Sequence, residues 1–232
     1  MADSRQQVGR GASQTANVGK AAIFDLDGTL LDSMGIWQEI DRRFFARRQI
    51  DMPADYASAV ASMQTGAIAR YTIERFGLRE EPQALVDEWN DDAQLLYATA
   101  VQPKPHALQY LASLKASGAK LAVATSLPPR LRQAALEHAQ MTACFDHVCS
   151  VDDAQSIGKE EPTIYLLAAR QLRVEPADCT VFEDLLVAVR SAHRAGMKAW
   201  AMYDESSAQD WPTIEAEADG AIYDFAQAPA TL

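Results

Sequence analysis

The fold is decided by residues 21–32, which read AAIFDLDGTLLD. A short apolar run, long enough for a buried strand and too short for a helix, ends in Asp25 and Asp27. Side chains at i and i+2 of a strand point the same way, so both carboxylates face one site if the strand persists. Two such charges about 4 Å apart repel by about 4 kcal/mol at an effective dielectric of about 20. The pattern therefore calls for a cation or a shared proton.

The two residues after the acidic pair favour a ligand site. Gly28 lets the chain turn sharply and lets the backbone approach a ligand, and Thr29 offers a hydroxyl and an amide to an anion. The alternative is a strand end closed by an Asx-turn. That alternative accounts for Gly28 and one aspartate, but it leaves the second aspartate unexplained, so we favour the functional interpretation.

Composition and charge restrict the class of protein. The chain has 232 residues, 48% hydrophobic and 23% charged, as expected of a soluble globular protein with one large domain or a core with an insertion. Its formal net charge of −11 argues against nucleic acid or a membrane as partner. Three cysteines without a CxxC spacing, and no long apolar stretch or signal core, predict a cytoplasmic protein. We expect a monomer or weak homodimer.

Hydrophobic periodicity divides the chain into segments. Residues 1–19 lack periodicity and are predicted to be a disordered tail. Residues 33–101 show helical spacing throughout and predict an inserted all-helical domain. In residues 20–32 and 102–232, short apolar strands alternate with helices, which predicts an α/β core with a doubly wound parallel sheet.

Ligands of such sheets bind beyond the carboxyl ends of the strands, so the polar residues there are candidate site residues. These residues, with the lysine of an intervening loop, are Asp25, Asp27, Thr125, Ser126, Lys159, Glu183 and Asp184. Four carboxylates would repel a phosphate unless a divalent cation lay among them, and their hard oxygen ligands suit Mg²⁺. Asp25 could then attack phosphorus while Asp27 serves as acid and base, which is phosphoryl transfer through an aspartyl-phosphate.

These motifs, in this order, resemble those of the haloacid dehalogenase superfamily. They are Asp25-Leu-Asp27-Gly28-Thr29, Ala124-Thr125-Ser126, Gly158-Lys159 and Phe182-Glu183-Asp184. The resemblance covers roughly residues 20–225 and is to the subgroup with a helical cap inserted after the first motif, typified by β-phosphoglucomutase and small-molecule phosphatases. It implies a Rossmann-like core over 20–32 and 102–232, with a cap over 33–101.

The resemblance also implies a role for each motif residue. Asp25 would be the nucleophile, Asp27 the acid and base, and Thr125 and Lys159 the groups that stabilise the phosphate and the intermediate. The phosphate would also contact Gly28, Thr29 and Ser126. Mg²⁺ would be held by Asp25, the Asp27 carbonyl and Asp184, with Glu183 beside them as a ligand directly or through water.

The chain departs from the usual motifs at two places. Lys159 is followed by Glu160-Glu161-Pro162, where family members usually continue Pro-x-Pro-Asp. Leu185 and Ala188 replace the usual serine and glycine after Asp184. None of these changes removes a catalytic group.

The helical segment narrows the chemistry. Residues 33–101 contain no histidine and no lysine, so the Schiff-base lysine of phosphonate-cleaving relatives is missing. Trp37 stands where β-phosphoglucomutase carries a histidine, which favours a phosphatase. Trp37 and Arg70 are candidates to line the cleft and select the leaving group, the alternative being ordinary helix packing and a solvated arginine.

The resulting prediction is a magnesium-dependent phosphatase acting on a small phosphorylated metabolite. The alternatives are a sugar phosphate mutase resembling β-phosphoglucomutase, and a weakly active phosphate-binding regulatory module. The mutase would give isomerised product with little free phosphate. Metal-dependent turnover that Asp25→Asn abolishes would exclude the regulatory module.

Overall fold

The structure is a computed structural model that describes residues 15–60, 63, 65–156 and 158–232. Its contacts divide the chain into two compact units. The sheet unit comprises residues 15–30, 103–126 and 143–232 of the described chain, and the helical unit comprises residues 31–102 and 127–142.

From residue 102 onward the strands and helices alternate along the chain, as the sequence predicts. The strands are β1 (Ala21–Phe24), β2 (Leu31–Asp32), β3 (Gln102–Pro103), β4 (Lys120–Thr125), β5 (His147–Ser150), β6 (Cys179–Glu183), β7 (Lys198–Met202) and β8 (Gly220–Ile222). The helices are α1 (Ile36–Arg47), α2 (Tyr56–Val60), α3 (Thr65–Phe76), α4 (Pro82–Thr99), α5 (Ala107–Ala116), α6 (Pro129–His138), α7 (Thr163–Leu172), α8 (Leu186–Arg194) and α9 (Trp211–Glu217).

Six parallel strands form the sheet in the order β5-β4-β1-β6-β7-β8. The chain runs outward from β1 to β4 and β5, then crosses to β6 on the other side of β1 and continues to β8. This order reverses direction at β1, which makes the carboxyl end of β1 the topological switch point where such sheets bind ligands.

Side chains of β1 alternate between two buried layers, which is why the strand is apolar throughout. Ala21 and Ile23 belong to the layer formed with α7 and α8. Phe24 lies in the other layer, where its ring stacks on Phe182 at 4.7 Å between centroids and meets the edge of Tyr110 of α5 at 6.3 Å. Helices therefore cover both faces, and the predicted doubly wound α/β fold is confirmed.

The helical unit contains α1 to α4 and α6, and the structure assigns no strand to the described residues of 33–101. Phe44 and Phe45 of α1 are buried, and the ring of Phe44 packs against Trp89 of α4. Arg47 and Arg48 form ion pairs with Glu88 at 2.6 and 2.7 Å, so these arginines join α1 to α4.

Two segments differ from the predicted division. Residues 15–19 form a turn in which Asn17 is fully buried and donates to Ser117 Oγ at 2.8 Å and to the Ala230 carbonyl at 3.0 Å. These bonds contradict a disordered tail over residues 15–19, while residues 1–14 lie outside the described residues. Residues 127–142, predicted to be core, group with the helical unit because α6 packs on α4.

Among the helices of the described ranges, none has the length and apolar character that crossing a membrane requires.

Candidate active site

Three neighbouring strands end in polar residues at one edge of the sheet. Asp25 directly follows β1, Thr125 ends β4, and Glu183 ends β6 with Asp184 next in the chain. Because β1 pairs with both β4 and β6 in parallel register, with Phe24 opposite Val123 and Phe182, these residues emerge at the same edge.

The turn after β1 brings the first motif to the last. Gly28 has a φ of +79°, and a Cβ added there would lie 2.4 Å from Asp184 Oδ2. Thr29 donates its hydroxyl to Asp184 Oδ1 at 3.2 Å. Only glycine allows both the positive φ and the close approach, so Gly28 brings the Asp184 carboxylate next to the turn.

The strand itself ends at Phe24, and Asp25 and Asp27 lie in the turn that follows. The i and i+2 alternation of a strand therefore does not position them. Asp25 is buried and Asp27 is half-buried. The turn closed at Gly28 determines their placement, which a strand pattern cannot describe.

A cluster of buried charges occupies this edge. One oxygen from each of Asp25, Glu183 and Asp184 lies within 4.8 Å of the others, and all three residues are at least 95% buried. Lys159 Nζ donates to Glu183 Oε1 at 2.6 Å and also to Asp25 Oδ1. One ammonium thus faces three carboxylates.

The cluster shifts the pKa values of its members. Burial raises the pKa of Asp25 against the opposing effect of Lys159. Burial likewise raises the pKa of Glu183 to about 7 and that of Asp184 well above its usual range, and the negative charge of Asp25 adds to both shifts. Burial disfavours the ammonium of Lys159, but Asp25 and Glu183 together outweigh it and raise the pKa of Lys159.

The residues of this cluster fit a divalent cation. Glu183 Oε2 is buried and has no hydrogen-bond partner among the described residues. An orphaned buried carboxylate oxygen is costly, and the donor set of three carboxylates is the hard oxygen environment that Mg²⁺ prefers. A cation here would also favour the ionised carboxylates and so oppose the burial that raises their three pKa values.

The loop that carries Lys159 is stabilised by hydrogen bonds to the backbone carbonyls on either side of this residue. Ser156 Oγ donates to the Gly158 carbonyl at 2.7 Å, and the Arg194 guanidinium of α8 donates to the Glu160 carbonyl. The side chains of Glu160 and Glu161 are exposed, so the two unusual acids face solvent while Lys159 is 7% exposed.

The replacements after Asp184 lie in different environments. Leu185 precedes α8 and is 42% exposed, whereas Ala188 is fully buried in the core layer of α7 and α8. Neither side chain forms part of the charge cluster.

The other predicted site residues are spread over both units. Thr125 is buried and Ser126 is exposed at the end of β4. In the helical unit, Arg70 of α3 is exposed, and Trp37 of α1 is 47% exposed and lines a cavity of about 440 Å³ with Trp89. Contact of Trp37 and Arg70 with a substrate stays a prediction.

Tyr165 is a residue of the site that no sequence motif indicates. This residue of α7 is fully buried, and its hydroxyl donates to Glu183 Oε1 at 2.7 Å. In the sequence it is one apolar-face position among several in a helix, since Ile164, Ala168 and Leu172 share the same buried layer. No sequence signal separates a tyrosine that packs from one that also donates to the site.

The site is thus a buried cluster of three carboxylates and one lysine at the carboxyl edge of a doubly wound parallel sheet. The chain belongs to the haloacid dehalogenase-like hydrolase family, whose family model matches residues 20–196.

Particular relatives are similar over most of their length. The chain is 28% identical to fructose-1-phosphate phosphatase YqaB of Escherichia coli, over 76% of this chain and 93% of that protein. It is 30% identical to β-phosphoglucomutase of Bacillus subtilis, over 78% of this chain and 81% of that protein. A crystal structure from Thermotoga maritima, 24% identical, has a TM-score of 0.76 over 88% of this chain and 94% of that chain.

Proposed function

We propose that the chain is a magnesium-dependent phosphatase that hydrolyses a small phosphorylated metabolite through an aspartyl-phosphate on Asp25. The observation that carries this proposal is the placement of the Asp25 carboxylate. It lies at the switch point of the sheet, buried, paired with Lys159 and within 4.8 Å of two further carboxylates. A carboxylate in this setting serves as a nucleophile for phosphorus, because nearby positive charge stabilises the phosphoryl group.

Asp25 and Asp27 carry the two halves of the reaction. An oxygen of Asp25 bonds to phosphorus as the ester oxygen leaves, and Asp27 donates its proton to that leaving oxygen. Asp27 then takes a proton from water, the water oxygen bonds to phosphorus, and the bond between Asp25 and phosphorus breaks. The products are an alcohol and inorganic phosphate, and both aspartates return to their initial states.

Lys159 contributes positive charge in both halves. Its ammonium, already bound to Asp25, pairs with the negative oxygens of the transferring group. The phosphate oxygens are further bound by the Thr125 and Ser126 hydroxyls and by the turn at Gly28 and Thr29. Hydroxyl and backbone donors of this kind position a phosphate without adding charge.

Mg²⁺ would be held by Asp25, Glu183, Asp184 and the Asp27 carbonyl, and when bound it supplies the positive charge that lets an anionic phosphate enter a cluster of carboxylates.

The leaving group is a small organic alcohol, and phosphorylated sugars are the first class to test. This choice is supported by the fructose-1-phosphate phosphatase and β-phosphoglucomutase relatives. Trp37 and Arg70 of the helical unit are proposed to contact the leaving group. An indole packs on the apolar face of a sugar, and a guanidinium binds its hydroxyls or a second phosphate.

Phosphate release from a panel of phosphorylated sugars, nucleotides and cofactors tests the proposal. We expect release that requires Mg²⁺, stops with chelator and is abolished in Asp25→Asn. Asp210→Asn, which changes an exposed aspartate of the same unit, is the matched control and should keep wild-type release. Failure of the folded, metal-bound wild type to release phosphate from any member would contradict a phosphatase.

A mutase is the second candidate, favoured by the 30% identity to β-phosphoglucomutase. It would convert a sugar phosphate into its isomer when primed with a bisphosphate, and would release little free phosphate. Following the sugar phosphate by NMR in the same panel separates the two activities.

A further inference from the structure

The carboxylate of Glu183 uses its two oxygens unequally. Glu183 is fully buried, and its Oε1 accepts hydrogen bonds from Lys159 at 2.6 Å and from Tyr165 at 2.7 Å. Its Oε2 accepts none from any described residue. Both protein donors therefore bind Oε1, and Oε2 has no donor among the described residues.

Packing around Tyr165 restricts the direction in which its hydroxyl can donate. Tyr165 lies on the first turns of α7, fully buried in the layer that contains Ile164, Ala168 and Val181. Close packing on all sides fixes the orientation of the Tyr165 ring, and this keeps the hydroxyl directed at Glu183 Oε1. A phenol carries one O–H donor, and Tyr165 directs it at Glu183 Oε1.

We propose that Tyr165 is a positioning residue that holds Glu183 Oε1 and thereby leaves Oε2 free toward the metal position. This inference rests on the proposed function, because it assigns Glu183 to the Mg²⁺ site. A carboxylate with two donors on one oxygen is fixed in rotation about its Cγ–Cδ bond. Without the phenol, only Lys159 would orient it, and Lys159 is shared with Asp25.

The predicted consequence of losing the hydroxyl is weaker metal binding with an intact fold. Removal of a group that hydrogen-bonds to a metal ligand and orients it typically weakens metal binding by about 10- to 100-fold. We expect a loss in this range for Tyr165→Phe, which deletes one hydroxyl and keeps the packed ring. Binding of Mn²⁺, an ion with the same preference for oxygen ligands, is followed by EPR without any substrate.

Tyr110→Phe is the matched control. Tyr110 is 8% exposed and donates its hydroxyl to the Pro229 carbonyl at 3.0 Å, in the layer on the other face of the sheet. This change removes a mostly buried tyrosine hydroxyl from the same unit without touching the charge cluster. Mn²⁺ affinity should equal that of wild type in this variant, even where its Tm falls.

A second background tests whether Tyr165 acts through Glu183. In Glu183→Ala protein, Tyr165→Phe should cause no further loss of Mn²⁺ affinity, because the group that the phenol orients is gone. The inference is overturned by wild-type Mn²⁺ affinity in Tyr165→Phe, by an equal loss in the Glu183→Ala background, or by a wild type that binds no Mn²⁺. A wild type that binds Mn²⁺ but releases no phosphate would contradict the proposed function alone.

Discussion

Gly28 is the residue at which the first and last motifs meet. Its φ of +79° closes the turn after β1, and its missing side chain leaves room for Asp184 Oδ2, which would lie 2.4 Å from a Cβ. Gly196 has nearly the same φ, +78°, but a Cβ there would have nothing within 4 Å. Substitutions at these two glycines can therefore be compared: both introduce backbone strain, but only a substitution at Gly28 also displaces Asp184.

We predict that Gly28→Ala and Gly196→Ala both lose about 1–2 kcal/mol of unfolding free energy, the cost of a left-handed conformation for an L-residue. Only Gly28→Ala should also lose Mg²⁺ binding and activity, because its new methyl group displaces Asp184. Chemical denaturation and metal titration of the two variants provide the comparison. Metal binding retained in Gly28→Ala, as in Gly196→Ala, would show that the close approach is unimportant.

Asp184 provides a second prediction at this scale. Burial raises the pKa of Asp184 above the value of 3.8 expected in the unfolded chain. The folded state therefore binds more protons than the unfolded state above that value, so the ionised carboxyl lowers stability as pH rises. In chelator at neutral pH, Asp184→Asn should unfold at a higher temperature than wild type.

Added Mg²⁺ should reverse that order. An ion that binds only the folded state contributes about 2.7 kcal/mol at 100 times its Kd, and Asp184→Asn loses most of this gain. Scanning calorimetry of both proteins with Mg²⁺ and with EDTA measures the difference. An equal increase in Tm for both proteins on adding Mg²⁺ would place the ion elsewhere.

At the scale of elements, α1 contacts the rest of the helical unit through buried aromatic side chains and through ion pairs. Its buried face carries Phe44 and Phe45, and Arg47 and Arg48 reach Glu88 of α4. Asp41, on the same helix, lines the cavity that contains Trp37. Burial raises the pKa of Asp41 to about 6.

We predict that Asp41 makes the chain less stable as pH rises. Its unfolded pKa is 3.8 and its folded pKa is about 6, so the folded state holds the proton longer and stability falls between these values. Because Asp41 is only half-buried, the loss should be about 1 kcal/mol. Asp41→Asn should remove this part of the pH dependence in denaturation measured from acid to neutral pH.

Asp91→Asn is the matched control, since Asp91 is an exposed aspartate on α4 of the same unit. It should leave the wild-type pH dependence unchanged. The prediction is wrong if both variants lose stability with pH in the same way as wild type.

The elements themselves were largely predictable from local sequence. The apolar run at 21–24 and the run from Lys120 gave strands because parallel strands are buried on both faces and carry continuous apolar residues. The pairing of α6 with α4 was not predictable, since helical periodicity shows that a face is apolar but not which helix covers it. Asn17 was missed for a similar reason, because its partners lie about 100 and 213 residues away.

At the scale of the whole molecule, charge sets the requirement for a cation. The chain carries a formal net charge of −11, and the described charge cluster contains one lysine against three carboxylates. An anionic substrate approaches against that field unless a cation offsets it. The sequence predicted this need from the strand-end residues alone, because the parallel topology brings strand ends together.

The geometry inside the cluster could not be read from the same residues. The bonds from Lys159 to both Asp25 and Glu183, and from Tyr165 to Glu183, depend on how α7 packs on the sheet. The motifs identify the charged groups, but their spacing does not show which carboxylate oxygen accepts a hydrogen bond from which donor.

The formation of an aspartyl-phosphate on Asp25 is the central claim, and trapping it is the most direct test. The best substrate of the panel is turned over with Mg²⁺, quenched in acid within the first turnovers, and the peptide containing residue 25 is weighed by mass spectrometry. We predict one phosphoryl group on Asp25 in wild type, and none in chelator or in Asp25→Asn, which also releases no phosphate. Phosphate release by Asp25→Asn at the wild-type rate, with an unmodified wild-type peptide, would contradict the account.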